Sequence, residues 1–374
     1  MPHSLLFTIS SLANLTGISN LCERSRLTLP PMIQQHLLSR RTFLGTSAAL
    51  GAGLLLPSFP LLSQNDRYKD LKSKRYLGKV RTECRIVDQK VFTEGPAVDA
   101  DGMVYFTNIP TEKILRWTPQ AKELAVFRTE SGAANGLRFA GNGDLLICEG
   151  GNGALVRLDM KSGERTVLAD TFEGKQLQAP NDLEIDSKGR IYFSSRTGQP
   201  DLDTHNKRAV YRLDPDGTVS QLLSEPDVHM PNGIVMSPDE TTLYLIEAHG
   251  AKDRNRKIMA YDLLADGSLT SPRTLHDFYP GRSGDGMCID KEGNLYVAAG
   301  LHKLRGSSET LDTRPGIHVI SPKGKLLAYR ETPEDTITNC TFGGKDLKTL
   351  YITCGTYLLS IRTRIPGKAS YRPM

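Results

Sequence analysis

The sequence predicts an all-β chain folded as a six-bladed β-propeller, and three observations predict it. Six segments repeat one pattern: an Asn, Asp or Glu, an apolar strand, an Asp/Gly/Asn turn, then a second apolar strand. They begin at Glu94, Asn135, Asn181, Asn232, Asp285 and Asn339, between 41 and 54 residues apart. That is the period of a four-stranded propeller blade. Most of these segments are followed by a second hairpin pattern, which brings the strand count to four per repeat. Removing an N-terminal export signal leaves roughly 310 residues, a normal length for one closed β architecture.

The signal is read at Ser39, Arg40, Arg41, Thr42, Phe43 and Leu44, followed by the apolar run GTSAALGAGLLLPSFPLL. Paired arginines before a moderately apolar stretch are the mark of twin-arginine export. Three glycines and two prolines interrupt the run. It is too weak for a membrane span of about 20 residues, so no stable insertion is expected after processing. A signal of ordinary length would begin at Met32, which leaves residues 1–31 outside the expected translated chain. The expected organisation is a signal region over 1–64, an exposed polar linker over 65–80, the propeller over 81–365 and a tail over 366–374. The expected partners are the export machinery and a small molecule, with the mature protein periplasmic or secreted.

The blade elements follow in order. RTECRIVDQKVF (81–92) is expected to pair with LYITCGTYLLSI (350–361) and close the ring, which removes exposed strand edges. Alternation is clear in RIYFSSR (190–196), TLYLIEA (242–248) and NLYVAA (294–299), the period of a strand. The second hairpins are ILRWTPQAKELAVF, LVRLDMKSGERTVLA, AVYRLDPDGTVSQLL, KIMAYDLLADGSLTSPRTL and IHVISPKGKLLAY. The net charge of +5 falls close to balance once residues 1–64 are set aside, which speaks against nucleic acid as a partner. Cys84, Cys148, Cys288, Cys340 and Cys354 follow the signal. Export permits a disulfide, while strand positions favour buried thiols.

In a closed ring, equivalent positions converge on one axis. Six oxygen-bearing side chains at one register would make a site for a hard cation. With no His or Cys there, Ca2+ is the expected ion, Mg2+ and Mn2+ are alternatives, and Zn2+ is less natural. The plainer role for such residues is to bond backbone amides at blade junctions. It competes most strongly at Asn339, whose segment is degenerate, and at Asn135. The second strand of each blade returns to the same mouth, so Thr107, Asn108, Glu149, Arg196, His249 and His302 are expected to rim it. No G-x-S-x-G elbow and no H-E-x-x-H pair occurs, which disfavours a serine hydrolase and a zinc peptidase.

The segments FTEGPAVDADGMVYFTN, APNDLEIDSKGRIYF, MPNGIVMSPDETTLYL, GDGMCIDKEGNLYVA and TNCTFGGKDLKTLYIT, in this order, resemble the gluconolactonase branch of the senescence-marker-protein/gluconolactonase-like family. The likeness covers roughly residues 85–360. It implies a six-bladed propeller with one divalent cation held by Glu94, Asn232 and Asp285, with Asn181 in direct or water-mediated contact. It also implies that Asp285 is the acid/base. Where animal members carry a substrate-holding arginine, this chain has Ala179. The implied activity is hydrolysis of a sugar lactone, with Asn181, Asn135, Arg196, His249 and His302 as candidate substrate contacts. A promiscuous esterase or organophosphate hydrolase on the same site is the alternative enzyme. A non-catalytic propeller that binds a sugar or a protein is the alternative outside catalysis.

Overall fold

The computed structural model of the chain describes residues 66–196 and 201–368. The twin-arginine region and residues 369–374 of the expected tail lie outside the described residues.

Among the described residues, six four-stranded antiparallel sheets follow one another as blades. Blade one is Thr93–Val98, Val104–Asn108, Lys113–Thr118 and Glu123–Arg128. Blade two is Ala134–Phe139, Leu145–Glu149, Ala154–Leu158 and Arg165–Ala169. Blade three is Pro180–Ile185, Ile191–Ser195, Ala209–Leu213 and Val219–Ser224. Blade four is Pro231–Met236, Thr242–Ala248, Arg256–Leu263 and Leu269–Asp277. Blade five is Gly284–Ile289, Leu295–Ala299, Gly316–Ile320 and Leu326–Glu331. Blade six takes Ile337–Gly343, Thr349–Cys354 and Tyr357–Thr363 from the C-terminal end and Leu77–Arg85 from the N-terminal end. Val80 pairs with Ile361 and Cys84 with Leu358. One sheet therefore contains both ends of the ring, as the strand patterns predict.

The first strand of each blade is innermost. Thr93–Val98 packs on Ala134–Phe139 on one side and on Ile337–Gly343 on the other. The core lies between the sheets. The Tyr105 and Phe139 rings meet edge-on at 5.3 Å across blades one and two, and Tyr296 and Phe342 at 5.0 Å across blades five and six. Second strands such as Leu295–Ala299 are buried along their whole length. Both of their faces are covered by neighbouring blades, so their sequence reads as nearly continuous apolar residues, whereas Val219–Ser224 at a blade's outer edge is half-buried.

Two expected boundaries move. Residues 66–76, taken with the expected linker, lie against blade five. The Tyr68 hydroxyl meets His318 Nε2 at 3.0 Å, its ring packs on Tyr329 at 4.7 Å, and the Tyr329 amide donates to Ser73 Oγ at 3.0 Å. Leu77, already in the strand, is 1% exposed. The two aromatic and aliphatic anchors are diluted by lysines in the sequence, so composition alone reads the stretch as solvated. At the other end the expected tail begins inside the body. The Gly367 amide donates to Leu347 O at 2.8 Å and the Lys368 amide to Ile289 O at 2.9 Å.

A β-bulge opens each innermost strand. In blade five Gly284 pairs with Ala299 and Met287 with Val297, so Asp285 and Gly286 together face one partner residue. Bulges of this kind re-aim side chains. The same pairing places Glu94, Asn135, Asn181 and Asn232 at the position of Asp285. In blade six Ile337 pairs with Cys354 and Cys340 with Ile352. Thr338 therefore occupies the leading register, and Asn339 falls one place later, level with Gly286. The sequence match aligned Asn339 with Asp285 by chemical likeness. The backbone pairing sets it one residue off.

That later place is held by Gly95, Gly136, Asp182, Gly233, Gly286 and Asn339. Here the inner strands approach so closely that a side chain rarely fits. A Cβ on Gly95 would stand 2.0 Å from Asn135 O, and Gly95 has a φ of +48°. A Cβ on Gly286 would stand 2.1 Å from Asn339 Cγ. Gly95→Ala should therefore cost at least about 2 kcal/mol of stability. Gly102→Ala, with a left-handed φ but nothing within 4 Å, should cost about 1 kcal/mol. Denaturant unfolding of both variants checks this, and equal losses would show that backbone conformation, not the crowded axis, sets the cost.

Candidate active site

The bulged residues gather at one mouth of the central channel. Glu94, Asn181, Asn232 and Asp285 are buried there, and Asn135 is half-buried. Asn232 Nδ2 donates to Asp285 Oδ1 at 2.5 Å. Arg282 Nη2 donates to Asp285 Oδ2 at 2.6 Å, and Arg196 Nη2 stands 3.9 Å from Asp285 Oδ1. Glu94 Oε2 accepts the Gly95 amide at 3.1 Å. Burial pushes the Glu94 carboxyl well above the usual carboxylate range. The charges of Asp285 and Asp182 push it further, and Arg196 pulls the other way.

Below this ring the channel is crossed. Asp182 and Asn339 are the two side chains at the otherwise glycine place. They come from blades three and six, which stand opposite one another in a ring of six. Asn339 Nδ2 donates to Asp182 Oδ2 at 3.3 Å. Burial raises the Asp182 carboxyl to about 7, against the pull of the Leu183 amide and Asn339. Deeper still, Glu184 is fully buried and pairs with Arg138, and Lys368 Nζ lies 3.5 Å from the same carboxylate. The channel is thus a shallow cup above a bonded crosspiece and an ion-paired floor.

The donor chemistry of the cup fits a divalent cation. Glu94 and Asp285 are like charges buried within electrostatic reach of each other, an arrangement that favours protonation or a bridging cation. Among the described residues no three His, Cys, Asp or Glu side chains gather as a metal cage. An ion held here needs the Asn181 and Asn232 amides as well. A half-turn of the Asn232 amide exchanges its nitrogen for its oxygen at the same place.

The expected rim divides. Arg196 reaches the cup, and its amide donates to Ala179 O at 2.9 Å. His249 lies near Arg254 and Arg208, and burial first, then these guanidinium groups, lowers its pKa. His302 turns to the blade five–six junction, where Nε2 meets Thr332 O at 3.0 Å. Neither histidine forms a described contact with Glu94 or Asp285. Glu149 is taken up by Arg165 at 2.6 Å and Asn152 at 2.7 Å. Asn108 bonds Lys90 O and Thr111, and Thr107 bonds Asn135 O. These three are taken up in bonds to neighbouring strands and loops. The five cysteines named above are free thiols, with Cys288 and Cys340 Sγ 3.5 Å apart between neighbouring inner strands.

Three residues at or beside the cup escaped the sequence reading. Asp182 stood in plain view as the residue that breaks the glycine rule. Arg282 sits in GRSGDG and gave no periodic signal. Glu247, at the end of the buried strand TLYLIEA, is fully buried and accepts the His229 and Met230 amides at 2.9 and 3.2 Å. Burial raises it to about 7, while Arg196 and Arg208 pull it down.

The SMP-30/gluconolactonase/LRE-like region profile matches residues 92–356. The chain belongs to this family. It is 30% identical to a gluconolactonase of Zymomonas mobilis, over 77% of this chain and 83% of that protein. It is 28% identical to a regucalcin of Danio rerio, over 74% and 87%. A solved gluconolactonase of Xanthomonas campestris superposes with a TM-score of 0.63 at 28% identity, covering 76% of this chain and 89% of that one. The family match spans all six inner strands, so the cup described here is built from the shared part of the fold.

The raised Glu247 carboxyl makes stability depend on pH. A carboxyl that binds its proton more tightly when folded adds stability that is fully present below its unfolded pKa, and that is lost as pH rises through about 7. Between pH 4 and pH 9 the wild type should lose up to about 3 kcal/mol that Glu247→Gln does not lose. Parallel denaturation curves for the two proteins at all pH values would sink this assignment.

Proposed function

We propose that the protein is a metal-dependent lactonase that opens a sugar lactone of the gluconolactone type to its aldonic acid. At the coarser level, the chain is a lactone-hydrolysing enzyme of its family. The observation that carries the finer reading is the buried pair Glu94 and Asp285, set among neutral amide oxygens at an open mouth.

A divalent cation, Ca2+ by the donor set, held by Glu94, Asn232 and Asp285 with Asn181 beside it, would supply Lewis-acid polarisation of the ring-ester carbonyl. The chain's own residues do the rest. Arg282 bonds Asp285 Oδ2 and the Asn232 amide nitrogen bonds Oδ1; a half-turn of the Asn232 amide, which would turn its oxygen to the ion, would free Oδ1 toward the cup. Proton transfer from the attacking water and to the leaving ring oxygen falls to Asp285 Oδ1, the general acid/base role. Asn181 and Asn135, at the leading places of blades three and two, would bond sugar hydroxyls. The Asp182–Asn339 crosspiece limits how deep the substrate sits. The buried walls keep bulk water out, which strengthens every charge interaction inside.

Glu94→Ala and Asp285→Ala should each lower bound metal below about a tenth of wild-type content and hydrolysis by at least a hundredfold, since each removes a charged ligand. Elemental analysis together with a panel of aldonolactones, aryl esters and phosphotriesters, with and without chelator, checks both. Full metal occupancy in both variants would refute the ligand set. Faster turnover of phosphotriesters than of any lactone would move the reading to the esterase class.

We also propose that the protein reaches the periplasm, or is secreted, by the twin-arginine route, which carries folded chains. Arg40→Lys with Arg41→Lys keeps the charge but removes the receptor-read pair. The variant should accumulate unprocessed in the cytoplasm, with the precursor beginning at Met32. Normal export, or a precursor beginning at Met1, would overturn this, as read by fractionation and N-terminal mass spectrometry.

A further inference from the structure

Two guanidinium groups and a divalent cation make claims on the same carboxylate. Arg282 is committed. It is largely buried, bonds Asp285 Oδ2 at 2.6 Å, and also donates to Ile337 O at 3.3 Å. Arg196 is placed differently. Its side chain is 24% exposed, and its Nη2 stands 3.9 Å from Asp285 Oδ1, beyond hydrogen-bonding distance. It lies at the mouth, at the end of the second strand of blade three. The residue across from it, Ala179, offers only a methyl group. Arg196 also acts electrostatically on Glu94 and on Glu247.

Binding a divalent cation to Glu94 and Asp285 changes that balance. Glu94 and Asp285 would then be neutralised by the ion. Glu247 is held protonated up to about pH 7 by burial. Arg196 is left charged, at the mouth, beside a cation of its own sign. A guanidinium cannot lose its proton to relieve this, and its planar fork suits carboxylate and phosphate oxygens.

We infer that Arg196 is a specificity residue that binds a negatively charged substituent of the substrate. On the lactonase reading, on which this inference rests, the preferred substrates are lactones that carry a carboxylate or a phosphate outside the ring ester. The ester is presented to Asp285 while the anionic group is held at Arg196. A neutral sugar lactone would enter the same cup without that anchor.

The test compares three lactones on the Ca2+-loaded protein: neutral gluconolactone, a carboxylate-bearing aldarolactone and 6-phosphogluconolactone. Wild type, Arg196→Gln and Arg196→Lys are assayed, with metal content measured in each. The wild type should favour at least one anionic lactone by tenfold or more in kcat/KM. The preference should shrink as salt rises from low to physiological strength. Arg196→Gln should lower the anionic-to-neutral ratio at least tenfold, mainly through KM, with Arg196→Lys in between and metal content retained. The two anionic arms tell carboxylate from phosphate. Hydrolysis of the neutral lactone with no anionic preference, or a ratio unmoved by Arg196→Gln, overturns the inference while leaving the lactonase reading intact. If no lactone is hydrolysed, that reading fails, and calorimetric titration with an aldarate and with a sugar phosphate decides the inference alone. Anion binding that is lost in Arg196→Gln supports it, and equal or absent binding in both proteins overturns it.

Discussion

The convergence of six strands on one axis is the constraint from which the rest of this structure follows. At the place just after the leading residue, the inner strands come so close that four of the six positions are glycine. A Cβ on Gly95 would fall 2.0 Å from a neighbouring carbonyl oxygen. That crowding requires the bulge, and the bulge turns Glu94, Asn181, Asn232 and Asp285 toward the channel. The site is therefore a by-product of how a ring of sheets closes. Its precision is inherited from backbone packing and not from flexible loops.

Charge is the second constraint, and it is handled in layers. The cup holds carboxylates that burial disfavours, partly offset by Arg282 and Arg196. The Asp182–Asn339 crosspiece replaces two glycines by a hydrogen-bonded pair across the axis. The floor buries Glu184 between Arg138 and Lys368. Breaking such a pair leaves an uncompensated buried charge, which gives the C-terminal segment a structural task. Each layer pairs opposite charges or polar partners, most of them from different blades. The channel is consequently a place where the six repeats check one another's position.

Arg282 matters to this geometry as much as the ring residues. By bonding one oxygen of Asp285 it fixes the orientation of the carboxylate, while Asn232 bonds the other.

The sequence by itself determined the blade count, the closing strand and five of the six leading residues, because strand periodicity and turn chemistry are local and repeat six times. It placed Asn339 one residue out of register, since chemical likeness to Asp285 cannot stand in for which residue pairs with Ile352 or Thr353. It put His302 and Glu149 at the rim by topology, but their side chains turn to Thr332 and Arg165, a choice made by partners far away in the chain. It read 65–80 as linker because the lysines there mask Tyr68 and Leu77, whose partners lie in blade five and in the C-terminal strand. Only the tertiary structure brought Arg282 and Arg196 to one carboxylate and Asp182 to Asn339. Those contacts join residues of different blades or loops, and no local period or motif says which of them meet. Their effect is a balance of buried charge, which depends on what lies within a few ångströms in space and not on what lies nearby in sequence.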